Sequence, residues 1–209
     1  MSLDAIAGVA HEPTGTPTGT VLLTHGAGGS RDAPLLIRIC DEWARNGFLA
    51  VRYNLPYRRR RPKGPPSNSA KADQEGITEA ITWARGLGHG PVLAGGHSYG
   101  GRMTSMVTAA AQNDTAAGPD VLTLFSYPLH PPGKPERART EHLPQITVPT
   151  VFTHGTSDPF GSIDEIRAAA DLLGGPVSIV EVTGARHDLG SKTLDVPVLA
   201  VAAAVIVIP

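Results

Sequence analysis

Six short apolar runs recur along the chain, and stretches with helical spacing lie between them. The runs are TVLLTHG (20–26), FLAVRYN (48–54), PVLAGGH (91–97), VLTLFSY (121–127), TVPTVFTHG (147–155) and VSIVEVTG (177–184). None alternates apolar with polar residues, as a half-exposed strand would. Continuous Val, Leu and Ile mean burial on both faces, which predicts a mostly parallel sheet of six or more strands with helices on both sides, an α/β fold. The intervening stretches fit the helical role. Leu36, Ile39, Cys40 and Trp43 form one apolar stripe, stopped by Asn46-Gly47. Ile77, Ala80, Ile81 and Ala84 form a second stripe within 70–85, and Met103, Met106, Val107 and Ala110 a third. Ser162 and Glu165 make a capping box for a helix burying Ile166, Ala169, Ala170 and Leu173. The apolar tail VPVLAVAAAVIVIP is short for a membrane span and reads as a core helix or strand. Two proline-rich segments, 55–68 and 127–145, read as loops. At 209 residues the chain is expected to form a single domain, 1–209.

Right-handed crossovers in such a sheet bring the C-terminal ends of the parallel strands to one edge, where ligands bind. Ser98, in VLAGGHSYGGRM (92–103), falls at one of these ends. It sits between Gly96 and Gly100 at a strand-to-helix junction, where a tight turn would lift its hydroxyl off the sheet. A serine hydroxyl needs a base to act as a nucleophile. Of the eight histidines, His187 in GARHDL follows the last predicted strand on the same edge. Asp158, in HGTSDPF, follows the fifth strand and supplies the carboxylate that would orient that histidine. Acyl transfer also needs backbone N–H groups for the developing oxyanion. Tyr99 supplies one, and the THGAGG loop (24–29) the other, through Ala27 or its neighbour Gly28. The chain order Ser98, Asp158, His187 meets all three roles along one edge.

These motifs, HGAGG, GHSYGG, HGTSDPF and GARHDL, resemble the α/β-hydrolase superfamily over nearly the whole chain. The segment YNLPYRRRRPKGPP and the GGR after the serine look like a small branch containing testis-expressed protein 30 and the third subunit of the NSL acetyltransferase complex. Dienelactone hydrolases are similar more distantly, although their nucleophile is usually cysteine. The resemblance implies hydrolase chemistry but hardly a substrate; with Ser98 as nucleophile, small carboxylic esters or thioesters are the expected substrates. Two alternatives stand beside it: a binding or scaffold module on the same fold, and a serine peptidase.

Arg58, Arg59, Arg60 and Arg61 follow the second strand and are candidates for an anion clamp, with a solvated loop as the alternative. Arg102, one turn after Ser98, is expected to make an orienting salt bridge, with substrate contact as the alternative, and His25 and His97 to pack around the site. The single cysteine, Cys40, lies on an apolar helical face, as a packed thiol would, and allows no disulfide within the chain. A net charge of −1 gives no reason to expect nucleic acid or a membrane surface as partner. No spacing suggests a metal, no cofactor is implied, and the opening residues carry no secretory signal, so a cytoplasmic location is expected. The segment between Tyr127 and Thr147 is too short and proline-rich to hold a substantial cap over the site.

Overall fold

Seven strands form one sheet in the order β1-β3-β2-β4-β5-β6-β7. They are β1 (Gly8–His11), β2 (Thr20–Thr24), β3 (Leu49–Tyr53), β4 (Val92–His97), β5 (Val121–Phe125), β6 (Thr150–Gly155) and β7 (Val177–Val182). The computed structural model describes residues 2–66, 70–111, 117–190 and 194–208. All six predicted strands are present and mutually parallel, and β1 joins β3 antiparallel at one edge. Sequence reasoning misses β1 because its four residues are all half-buried and show no periodicity.

Continuous apolarity serves two faces of this sheet. Val21, Leu23, Leu93, Val121 and Val151 pack under α1 (Pro34–Arg45) and α6 (Val196–Ile206). Their neighbours Leu22, Ala94, Leu122, Leu124 and Phe152 face α3 (Ala70–Arg85), α4 (Tyr99–Ala111) and α5 (Ile163–Ala170) on the other side. The two sets alternate because successive side chains of a strand point to opposite faces. The Ser162–Glu165 capping box opens α5 as expected, but the helix ends at Ala170 and Leu173 lies beyond it, half-buried. The tail is a helix. Cys40 is buried in the core on α1, and burial pushes its thiol up to about 12, so it stays protonated and inert.

One proline-rich segment departs from the loop expected for it. Pro56–Arg60 forms a short helix, α2, with Pro56 in its first turn, where the missing N–H costs no hydrogen bond. The last residues of that segment, 67 and 68, lie outside the described residues. The segment between β5 and β6 contains only three-residue 3-10 turns, at Pro135–Arg137 and Leu143–Gln145, so no cap covers the sheet edge. Among the described residues, no helix is long and apolar enough to cross a membrane.

β2 has β3 on one side and β4 on the other, so the chain reverses its direction of winding between β2 and β4. A crevice opens at such a reversal because the following loops diverge to opposite faces. The loops after β2 and β4 are the ones carrying HGAGG and Ser98.

Candidate active site

Ser98 turns sharply out of β4 into α4 with a positive φ of 51°. For a residue with a side chain this left-handed backbone costs about 1–2 kcal/mol, so the surroundings must hold it. They do so by close backbone contact. A Cβ on Gly96 would lie 2.4 Å from the Thr24 carbonyl oxygen, one on Gly100 2.6 Å from that of His25, and one on Gly101 2.6 Å from that of Gly96. Only glycines let the β2 and β4 ends and the first turn of α4 approach this closely. The Ser98 N–H donates to the Phe125 carbonyl at 2.8 Å, and its carbonyl accepts from the Arg102 N–H at 2.9 Å.

Asp158 follows β6 with its side chain buried, and His187 follows β7. The His187 Nδ1–H donates to Asp158 Oδ2 at 2.8 Å, which leaves Nε2 to accept from the Ser98 hydroxyl, also at 2.8 Å. Burial opposes the charge on Asp158. The bonds from His187 and from the Phe160 N–H (2.9 Å) outweigh it and hold the carboxyl below its usual range. The acid is therefore ionised where an imidazolium would form. The Phe160 ring lies against the His187 ring with centroids 4.2 Å apart, and the His97 ring flanks it at 5.2 Å. The His97 Nε2–H donates to the His187 carbonyl at 2.7 Å, tying the residue before Ser98 to the loop that carries the base.

Beside Ser98 lies a cleft of about 430 Å³, walled by Gly26 to Gly29, His97, Phe160 and His187. The Tyr99 N–H is the first of α4 and has no partner inside the helix. The Ala27 N–H likewise has no acceptor among the described residues. Two residues that sequence reasoning missed, Tyr57 and Asp73, help to hold this loop in place. Tyr57 Oη donates to the Ala27 carbonyl at 2.8 Å, and Asp73, fully buried, accepts from the Tyr57 N–H at 2.9 Å and from Tyr99 Oη at 2.8 Å. One carboxylate thus braces both sides of the cleft. Its only hint in the sequence is a polar residue on the apolar side of α3.

Arg58 differs from the rest of the arginine run. Its side chain is buried, with Nε donating to the Gly29 carbonyl at 2.7 Å and Nη2 to Ala27 at 3.2 Å and Gly64 at 3.0 Å. Nη1 donates to Arg61 at 3.1 Å. The guanidinium is committed to backbone carbonyls and is not free to clamp an anion. Arg59, Arg60 and Arg61 are exposed and do not line the cleft. Arg102 also departs from expectation. It makes no ion pair among the described residues, and its buried Nε has no hydrogen-bond partner. His25 packs as expected: Nδ1–H donates to the Gly26 carbonyl and Nε2 accepts from the Leu55 N–H, a neutral pattern. Among the described residues, no group of three or more His, Cys, Asp or Glu could hold a metal ion.

The profile of the alpha/beta hydrolase domain family matches residues 17–196. A serine hydrolase homologue from Coxiella burnetii superposes with a TM-score of 0.74 at 17% identity, covering 93% of this chain and 89% of that one. Dienelactone hydrolase from Anabaena variabilis gives 0.72 at 20%, covering 94% and 88%. An α/β serine hydrolase without a lid, from Xanthomonas campestris, gives 0.74 at 17%, covering 97% and 89%. At these identities the likeness is one of fold.

Two outcomes follow. Arg58→Gln removes the donor to the Gly29, Arg61 and Gly64 carbonyls and one of two donors to Ala27, and should lower stability by about 2–4 kcal/mol in urea unfolding. Arg58→Lys should recover little, because a single ammonium cannot reach the carbonyls that the fork spans. The second concerns pH. Burial pushes the His25 imidazole from an ordinary 6.5 down to about 4. Between those values the unfolded chain binds a proton that the native chain refuses, so stability is full above pH 6.5 and falls as pH drops towards 4. The loss reaches about 3 kcal/mol from this residue. Urea midpoints measured from pH 7 to 4 should decline over that window, and His25→Gln should make the decline shallower by its own share, leaving that of His142, which burial also pushes down to about 4.

Proposed function

The chain belongs to the alpha/beta hydrolase family, and from that premise we propose that it is a serine hydrolase of small carboxylic esters or thioesters. The observation that carries this reading is the unbroken relay from Asp158 Oδ2 through His187 to Ser98 Oγ, both links 2.8 Å long. In this reading His187 Nε2 accepts the hydroxyl proton as Ser98 Oγ attacks the acyl carbon. Asp158 fixes the tautomer that leaves Nε2 free, and its charge stabilises the imidazolium. The Ala27 and Tyr99 amides hold the oxyanion, the role that their unpaired N–H groups beside the cleft support. The imidazolium protonates the leaving group, and water activated by the same base then frees the acyl group from Ser98. We place the chain in the cap-less branch suggested by YNLPYRRRRPKGPP and GGR.

The open cleft supports a short acyl group. Without a lid, each methylene beyond the cleft stays in water and forfeits about 0.8 kcal/mol of burial. Activity on p-nitrophenyl esters should be highest from acetyl to butyryl and fall towards decanoyl. A rise over that series would reveal an apolar tunnel and refute the short-chain assignment.

The nucleophile and acid are tested separately. A fluorophosphonate probe should label the wild-type protein and not Ser98→Ala, as read by mass spectrometry of the 92–103 peptide. Asp158→Asn should fold normally and lose about 10⁴-fold in kcat. Labelling that persists in Ser98→Ala would point to another nucleophile. No labelling and no turnover of any ester would favour a binding module on this fold.

A further inference from the structure

Asp73 is fully buried, yet it makes no ion pair among the described residues. Its two oxygens are spent on two different elements. Oδ1 accepts from the Tyr57 N–H in the first turn of α2 at 2.9 Å, and Oδ2 accepts from Tyr99 Oη in the first turn of α4 at 2.8 Å. Burial and then the hydrogen bond to Asp73 raise the affinity of the Tyr99 hydroxyl for its proton, so it remains a donor. The two tyrosine rings meet edge to face, with centroids 5.8 Å apart. Further along α3, a Cβ on Gly76 would lie 2.5 Å from Pro56 Cγ, so α2 is seated on α3 at a second point. α2 in turn holds the loop after β2. Tyr57 Oη donates to the Ala27 carbonyl at 2.8 Å, and it lies 3.3 Å from the Gly26 carbonyl, whose peptide unit carries the Ala27 N–H.

An acid taken out of water without an ion pair is unfavourable to the fold, and an apolar side chain would fill the same space. What the carboxylate adds is a link between the loop after β2 and the loop after β4. The Ala27 and Tyr99 N–H groups, the two assigned to the oxyanion, lie at the two ends of that link. Such donors act only where they meet the oxyanion at hydrogen-bond distance, and a misplacement of about 1 Å can cost 10²-fold in rate. We propose that Asp73 is a positioning residue for acyl transfer, fixing the gap between the Ala27 and Tyr99 N–H groups through Tyr57 on one side and the Tyr99 hydroxyl on the other. This rests on the serine-hydrolase reading and deepens it. Asp158 steadies the base, and Asp73 is a second buried acid that steadies the oxyanion side of the same site.

The test reads transition-state binding apart from ground-state binding. When n-butylboronic acid binds, Ser98 Oγ bonds to boron and yields its proton to His187, and the tetrahedral adduct sets an oxygen where the oxyanion forms. Butyramide is planar and mimics the ground state. Inhibition constants for both are measured beside kcat/KM for p-nitrophenyl butyrate. Asp73→Ala should lose about 10²-fold in boronic acid affinity and in kcat/KM alike, and Tyr99→Phe about tenfold, while butyramide affinity moves by no more than about threefold. Asp73→Asn should recover about tenfold of the loss, because its amide oxygen still accepts from the Tyr57 N–H while its NH₂ donates to Tyr99 Oη. Lys71→Gln, an exposed change on α3, should leave all three readings as they are. Folded Asp73→Ala that keeps the boronic acid affinity overturns the proposal. Equal losses for boronic acid and butyramide make Asp73 a residue that merely shapes the cleft, and overturn it too. If Asp73→Ala does not fold, Tyr99→Phe decides by the same two comparisons. Wild-type protein that neither hydrolyses the ester nor binds the boronic acid removes the serine-hydrolase reading itself, and the positioning role with it.

Discussion

The close approach of three backbone segments at the ends of β2 and β4 is the constraint on which the rest of the site depends. Thr24 and His25 present carbonyl oxygens where side chains at 96 and 100 would stand, so those positions admit no Cβ. The contact forces the tight turn at Ser98 and starts α4 at once, with its unpaired N–H groups beside the cleft. It also brings the 26–29 loop within reach of the same cleft. The left-handed backbone at Ser98 is unfavourable locally. It persists because a sheet of parallel strands, paired along their full length, resists the shift that would relax it.

Around that point the protein gathers imidazoles and keeps them neutral. His25, His97 and His154 sit at strand ends on this edge, and burial lowers the proton affinity of each. They serve as hydrogen-bonding wedges. His25 links the loop after β2 to α2, His97 holds the carbonyl of His187, and His154 Nε2 donates to Gly161 beyond Asp158. Neutrality matters here, because cations beneath the relay would oppose the positive charge that acyl transfer places on His187.

Much of this was legible in the sequence. The six parallel strands follow from continuous apolar runs, and Ser98, Asp158 and His187 follow from residue types placed just past strand ends in a required order. What escaped reading depends on contacts distant in sequence. Nothing in RRRR distinguishes Arg58 from its neighbours, because the carbonyls that capture it belong to a loop about thirty residues earlier. Asp73 looks like any acid near a helix start until Tyr57 and Tyr99 are seen to converge on it. Proline at position 56 suggested a loop, since the same residue that breaks a helix internally also begins one. The missing partner of Arg102 could not be read at all: spacing shows which pairs are possible along one helix and says nothing of acids that fail to arrive.

The grip of Tyr57 and Arg58 on the Ala27 and Gly29 carbonyls bears on how such a protein drifts over generations. The shape of the 26–29 loop is written partly in a different segment of the gene, so neither segment is free to vary alone. A change of length in HGAGG strands the guanidinium, and loss of the tyrosine or arginine unmoors the loop. The two stretches form one heritable unit divided across the chain. Lineages that preserve this geometry should exchange both together, while the exposed arginines beside them wander independently.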